Sequence, residues 1–157
     1  MVQDVGALHP ILVHFPIALL IAAFLFDVVG WLWKRAAFTE AALGVQALGV
    51  LGAFAAVLSG NQAEEAVEAI PGIHDVLEQH ERFGQIVLWV GLALVALRFF
   101  LVWKRPLGQG TKLLLSVLSL GLAILVGVTG YYGGELVYKF GAGVEPVMRL
   151  YPPSEGH

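Results

Sequence analysis

Four stretches of this chain are each apolar for about the length a helix needs to cross a lipid bilayer. A spanning helix takes roughly 20 mostly apolar residues, since each adds about 1.5 Å across a hydrocarbon core of about 30 Å. The stretches are 11–33, 41–58, 83–103 and 113–132. The second is short but rich in small residues. No alternating apolar and polar pattern appears, which excludes a membrane β-barrel. The expected fold is an all-α integral membrane protein: a four-helix transmembrane bundle forming one domain over 1–157.

Composition agrees. Hydrophobic residues make up 58% of the chain and charged residues 13%, against about 45–50% and about 25% in soluble domains. A surface that apolar has to face lipid. The net charge of −3 and the lack of a Lys/Arg run argue against a nucleic-acid partner. The absence of cysteine removes disulfides, thiolate metal sites, covalently attached haem and iron–sulfur ligation.

Basic residues set the orientation. Lys34 and Arg35 lie between the first two spans, and Lys104, Arg105 and Lys112 between the last two. The other side carries ten acidic residues, including Asp4, Glu64, Glu81 and Glu135, but only Arg82, Lys139 and Arg149. Both basic loops are therefore expected in the cytoplasm, with both termini extracytoplasmic. Trp31, Trp33 and Trp103 fit an inner aromatic belt. The first span has no preceding basic residue and is too long for a signal core, so it is expected to be retained. The outer loop 60–82 should hold a short acidic helix at 62–70, ended by Pro71-Gly72. The third helix should begin near His74 or Asp75, because Val76, Leu77, His80, Phe83 and Val87 share one face. An outer tail occupies 133–157.

All five histidines fall on the acidic side. His9 and His14 open the first helix, His74 and His80 the third, and His157 ends the chain. The first and third helices run in the same direction, so His14 and His80 reach similar depths. Two inward histidines at one depth are how a helical bundle holds a b-type haem or a metal ion. The plainer alternative is that they bond water, backbone or lipid headgroups. His9 and His14 point about 140° apart on a regular helix and would share a metal only if Pro10 or Pro16 distorted it. His74 lies off the face of His80 and is expected in solvent.

A second constellation lies inside the bilayer. Asp27 stands seven residues before Lys34, and Arg98 six before Lys104. Their matching depth predicts an ion pair with Gln46 nearby, since ionised groups in lipid need partners. Its simplest role is a clasp that fixes helix register; the functional alternative is a proton or substrate path. Gly52, Ala56 and Gly60 form one small-residue stripe, and Gly127, Gly130, Gly133 and Gly134 another. Both suit close helix packing, or equally room for a flat macrocycle, with packing the preferred reading.

The opening Leu8-His9-Pro10-Ile11-Leu12-Val13-His14-Phe15-Pro16-Ile17 resembles the start of a bacterial membrane family catalogued as domain of unknown function 2231. The stretch Thr129-Gly130-Tyr131-Tyr132-Gly133-Gly134-Glu135-Leu136-Val137-Tyr138, followed by Gly141-Ala142-Gly143-Val144, resembles its close. Asp27, His80 and Arg98 also have counterparts in that pattern. The resemblance runs over nearly the whole chain and implies a four-helix membrane domain. Fusion of some members to Rieske or cytochrome c modules implies electron transfer near the outer face, with a b-type haem or a quinone. Among the histidines, the resemblance lands on His9, His14 and His80.

The expected protein is thus a small multi-pass redox protein of the cytoplasmic (inner) membrane. His14 and His80 would be axial ligands to haem b, with His9 beside them or at another site. Glu135 and Tyr138 would orient a histidine or bind a quinone headgroup. Partners would be the bilayer, a separate Rieske or cytochrome c type protein, and a second copy of the chain. The alternative is a non-catalytic membrane subunit or a metal-binding module, with His9, His14 and His80 holding copper or zinc. A small transporter working through Asp27 and Arg98 is a third reading, weakened by the lack of an inverted repeat.

Overall fold

The computed structural model describes residues 5–104 and 107–152. A 3-10 turn at Val5–Leu8 leads into α1 (His9–Leu12) and α2 (His14–Leu32). Then come α3 (Ala36–Val67), α4 (His74–Lys104), α5 (Gln109–Phe140) and a short α6 (Glu145–Leu150). Among the described residues there is no strand. Four helices, over Gly6–Leu32, Ala36–Val67, His74–Trp103 and Gln109–Phe140, are long and apolar enough to cross a membrane.

Three boundaries differ from the sequence expectation or refine it. The acidic segment 62–70 is no separate helix: α3 runs unbroken to Val67, so the second span and most of that segment are one element. The fourth helix continues two turns past Tyr132 to Phe140, absorbing the start of the expected tail. The third begins at His74, as its apolar face indicates. At 32 residues, α3 and α5 are each about 48 Å long, well beyond the hydrocarbon thickness of about 30 Å. The excess length lies at the end bearing the histidines, beyond the apolar stretches that end at 58 and 132.

Pro16 shapes the first span. With no N–H of its own, it cannot donate to the carbonyl of Leu12, so one rung of the hydrogen-bond ladder is missing between α1 and α2, but Val13 keeps helical backbone angles and the span runs on without a change of face. At the far end of α5, Gly141 adopts the left-handed conformation (φ 70°), and its N–H reaches the carbonyls of Leu136 and Val137. A side chain there would meet Val147 at 2.7 Å. That glycine cap lets the chain turn and seat α6.

The bundle is four-cornered. α2 packs against α3 and α5, and α4 packs against the same two, so α2 and α4 stand on opposite corners. The centre is a buried apolar cluster including Leu20, Val50, Val87, Leu88, Leu122 and Val126. A second cluster of Val67, Ile70, Ile73, Leu77 and Leu136 ties the projecting helix ends together, with Val147 and Met148 of α6 packed on it. Glycines allow the close approach. A Cβ on Gly49 would meet Leu20 at 2.9 Å, and one on Gly52 would meet Pro16 at 3.1 Å. The outer surface carries large apolar side chains such as Leu51, Phe54, Trp89, Phe99 and Trp103, the surface that lipid solvates.

Candidate functional site at the histidine end of the bundle

Where α1 packs on α3, the ring of His9 meets the ring of His80 from α4. The rings of His9 and His80 lie 6.1 Å apart between centroids and nearly perpendicular, at 89°. His9 comes from α1, on the α2 corner, and His80 from α4, on the opposite corner. Each is anchored by one of the helices in between. His9 Nδ1 lies 2.9 Å from the carbonyl of Ala56 and 3.0 Å from Ser59 Oγ, both on α3. Ser59 itself donates to the Ala56 carbonyl. His80 Nδ1 lies 3.0 Å from the carbonyl of Thr129 on α5.

These bonds fix the tautomers. A carbonyl can only accept, so Nδ1 of both rings must carry the proton. Each neutral ring then presents Nε2 as a bare lone pair. That is the arrangement in which metal-ligating histidines are held, with the far nitrogen donating to a backbone carbonyl. The glycines nearby make room for the rings. A Cβ on Gly60 would come within 3.1 Å of His9 Cε1, and one on Gly133 within 3.1 Å of His80 Cε1. The first glycine stripe therefore divides its work, Gly52 admitting Pro16 and Gly60 admitting His9. On α5, Gly133 seats His80, while Gly127 and Gly130 face open space.

The histidine beside His80 is therefore His9, and the expectation of a His14–His80 pair is corrected. His14 is exposed on the outside of α2. The physical reason is rotation about the helix axis. The buried positions of α2 are Pro16, Leu20, Ala23, Asp27 and Gly30, and His14 lies roughly opposite that stripe. His9 precedes Asp27 by 18 residues, about five full turns, and so returns to the same face.

Glu135 and Tyr138 do not join the pair either. Glu135 bonds to Lys139 and, at 3.4 Å, to the Tyr131 hydroxyl, all on α5. Tyr138 is 91% exposed. Both lie on α5, which continues through the start of the segment expected as an outer tail. His74 is exposed at the start of α4, and His157 lies outside the described residues. A residue the sequence reading passed over is Glu81, next to His80. It is crowded by Glu64, Glu68 and Glu78, and one of its carboxyl oxygens is buried without a hydrogen-bond partner. Among the described residues no group of three or more His, Asp or Glu side chains is placed to hold a metal ion.

The intramembrane pair sits about 27 Å from the histidines, at 1.5 Å per residue over 18 residues. Arg98 donates to both carboxylate oxygens of Asp27, with Nη1 at 2.8 Å from Oδ1 and Nη2 on Oδ2. Ser119 of α5 completes the set. It accepts from Arg98 Nη2 at 2.5 Å and donates to Asp27 Oδ2 at 2.7 Å. Asp27 and Arg98 are 2% and 1% exposed. A fork-to-fork guanidinium–carboxylate pair is the strong form of this interaction. Ser119 was not anticipated: a single serine in an apolar span does not show which way it faces. Gln46 is buried as well, but it makes no hydrogen bond to the pair or to any other protein group.

No curated protein and no solved structure matches this chain. Residues 6–146 match the model of the family described as predicted membrane protein DUF2231, which takes in both histidines, the ion pair and all four spans, and the chain belongs to that family.

Proposed function

We propose that this is a small membrane redox protein whose His9–His80 pair holds a b-type haem near the extracytoplasmic surface. The observation that carries the proposal is the tautomer lock: both Nδ1–H groups are spent on backbone carbonyls, leaving an Nε2 lone pair on each of two neighbouring, perpendicular rings. Two imidazoles bound to one ion through bonds of about 2.0–2.1 Å place their ring centres roughly 5–6.5 Å apart, which suits the 6.1 Å separation. The donor set favours haem over a bare ion. With two protein ligands a bare copper or zinc ion would keep open positions, whereas a porphyrin brings four nitrogens and asks the protein for two. A haem held there would supply one-electron transfer. The chain's own residues would position it: Ala56 and Ser59 orient His9, Thr129 orients His80, and Gly60 and Gly133 give both rings their place. The basic residues Lys34, Arg35 and Lys112 at the far end support a cytoplasmic location for that end. This leaves the pair facing a quinol in the outer leaflet or a separate extracytoplasmic electron carrier.

The test is a reduced-minus-oxidised visible spectrum of the chain purified in mild detergent after expression with ample haem. A b-type signature lost in His9→Ala and in His80→Ala, but kept in His14→Ala, is the expected result. A colourless protein overturns the reading. A colourless protein carrying stoichiometric zinc or copper that His9→Ala removes would make it a metal-binding module instead.

A further inference from the structure

Gln46 is the most costly side chain in the bundle that nothing so far explains. It is 1% exposed, and neither its Oε1 nor its Nε2 has a hydrogen-bond partner. In lipid no bulk water can make up the loss. Arg98 has a matching deficit: its two Nη atoms are engaged by Asp27 and Ser119, but its Nε is buried and unpartnered.

Helix register brings the two together. Val50 of α3 and Gly91 of α4 touch where these helices meet, for a Cβ on Gly91 would lie 2.8 Å from Val50 Cγ2. Gln46 is four residues from Val50, and Arg98 is seven from Gly91, both toward the basic end. Residues four or seven apart share a helix face. At 1.5 Å per residue the two side chains start about 4–5 Å apart along the bundle axis. Both belong to the buried interior. One donor is left over on one side, and an amide with both functions is left over on the other.

We infer that a buried water molecule binds between Gln46 and Arg98, accepting from Arg98 Nε–H and donating to Gln46 Oε1. Internal waters are found where polar groups converge without protein partners, and they typically make about three hydrogen bonds. The water gives the Nε–H its acceptor and so helps to hold the guanidinium in the plane of the Asp27 carboxylate. Gln46 is then a positioning residue for the ion pair. The apolar cluster around Val50, Leu88 and Leu122 lies between this water and the histidines, so it belongs to the clasp alone.

Hydroxyl-radical footprinting by X-ray radiolysis, read by mass spectrometry on the full chain in nanodiscs, tests this, because radicals form on water bound next to a side chain. The wild type should show modification at Val95, the α4 position level with Gln46, at least threefold above that at Leu88 and Leu122. In Gln46→Leu that excess should vanish and the thermal midpoint should fall. Gln46→Met, close in size, serves if the leucine variant does not fold. No excess at Val95 in the wild type, an excess that survives both substitutions, or a raised midpoint without the glutamine would each overturn the inference.

Discussion

The two polar pairs that face each other across the diagonal of this bundle are built on the same spacing and by opposite chemistry. His9 precedes Asp27 by 18 residues on one corner, and His80 precedes Arg98 by 18 on the other. Each helix thus presents one histidine and one charge on a single face, about five turns apart. Asp27 and Arg98 satisfy one another directly, with Ser119 closing the set. Their charges cancel in the one place where an isolated charge is least tolerable. The histidines instead turn away from each other for their hydrogen bonds, His9 to α3 and His80 to α5. Among the described residues no hydrogen bond engages Nε2 of either histidine, whereas the ion pair and Ser119 spend their groups on one another. The difference locates the candidate site at the histidine end even though the ion pair is the more conspicuous feature of the sequence.

The largest effect that could break this contrast is on the clasp. Arg98→Leu leaves Asp27 buried without its counter-charge and should destabilise the fold by about 3–5 kcal/mol, read as a lowered midpoint of thermal unfolding in detergent. The double variant Asp27→Leu/Arg98→Leu should recover most of that loss. If the single and double variants are equally unstable, the pair is more than a neutralised clasp.

Next in size is Gly133→Ala. Its new methyl would press on the His80 ring at 3.1 Å, and overpacking of this kind costs about 1–3 kcal/mol. The sharper readout is binding. The haem signature proposed above should weaken in Gly133→Ala and persist in Gly130→Ala, because Gly130 faces open space. Equal effects would mean that the glycines serve helix packing alone.

His80→Ala deletes one imidazole hydrogen bond to a backbone carbonyl, worth about 1 kcal/mol net. Its unfolding midpoint should therefore move far less than that of Arg98→Leu while cofactor binding is lost. The reverse pattern, large destabilisation with ligand binding intact, would make the histidines structural. Smallest of all, Tyr138→Ala and Lys139→Ala should leave both midpoint and spectrum unchanged. Both side chains are exposed on α5, and the Lys139–Glu135 pair lies on the helix surface. Loss of the haem signature in Tyr138→Ala would return this residue to the site.

Much of the molecule could be read from the sequence, for reasons tied to lipid. Four apolar stretches of spanning length leave the backbone no alternative to helix, and a charge on each of two of them at matching depth leaves no alternative to pairing. The start of α4 at His74 followed from one apolar face. The ends of α3 and α5 did not, because hydropathy reports where lipid stops and not where hydrogen-bonded helix stops. The absorbed segments 62–67 and 133–140 carry charged residues yet are helical for that reason.

The class of protein, the number of spans and the pairing of Asp27 with Arg98 are written in the chain, since each follows from the cost of a residue type in hydrocarbon. Packing was needed to show which histidine enters the bundle, which tautomer it holds and that Ser119 joins the ion pair. Depth is set by position along the chain, but facing is set by rotation about the helix axis. That rotation is fixed by contacts such as Pro16 on Gly52 and His9 on Gly60, which sequence spacing can suggest and packing alone enforces.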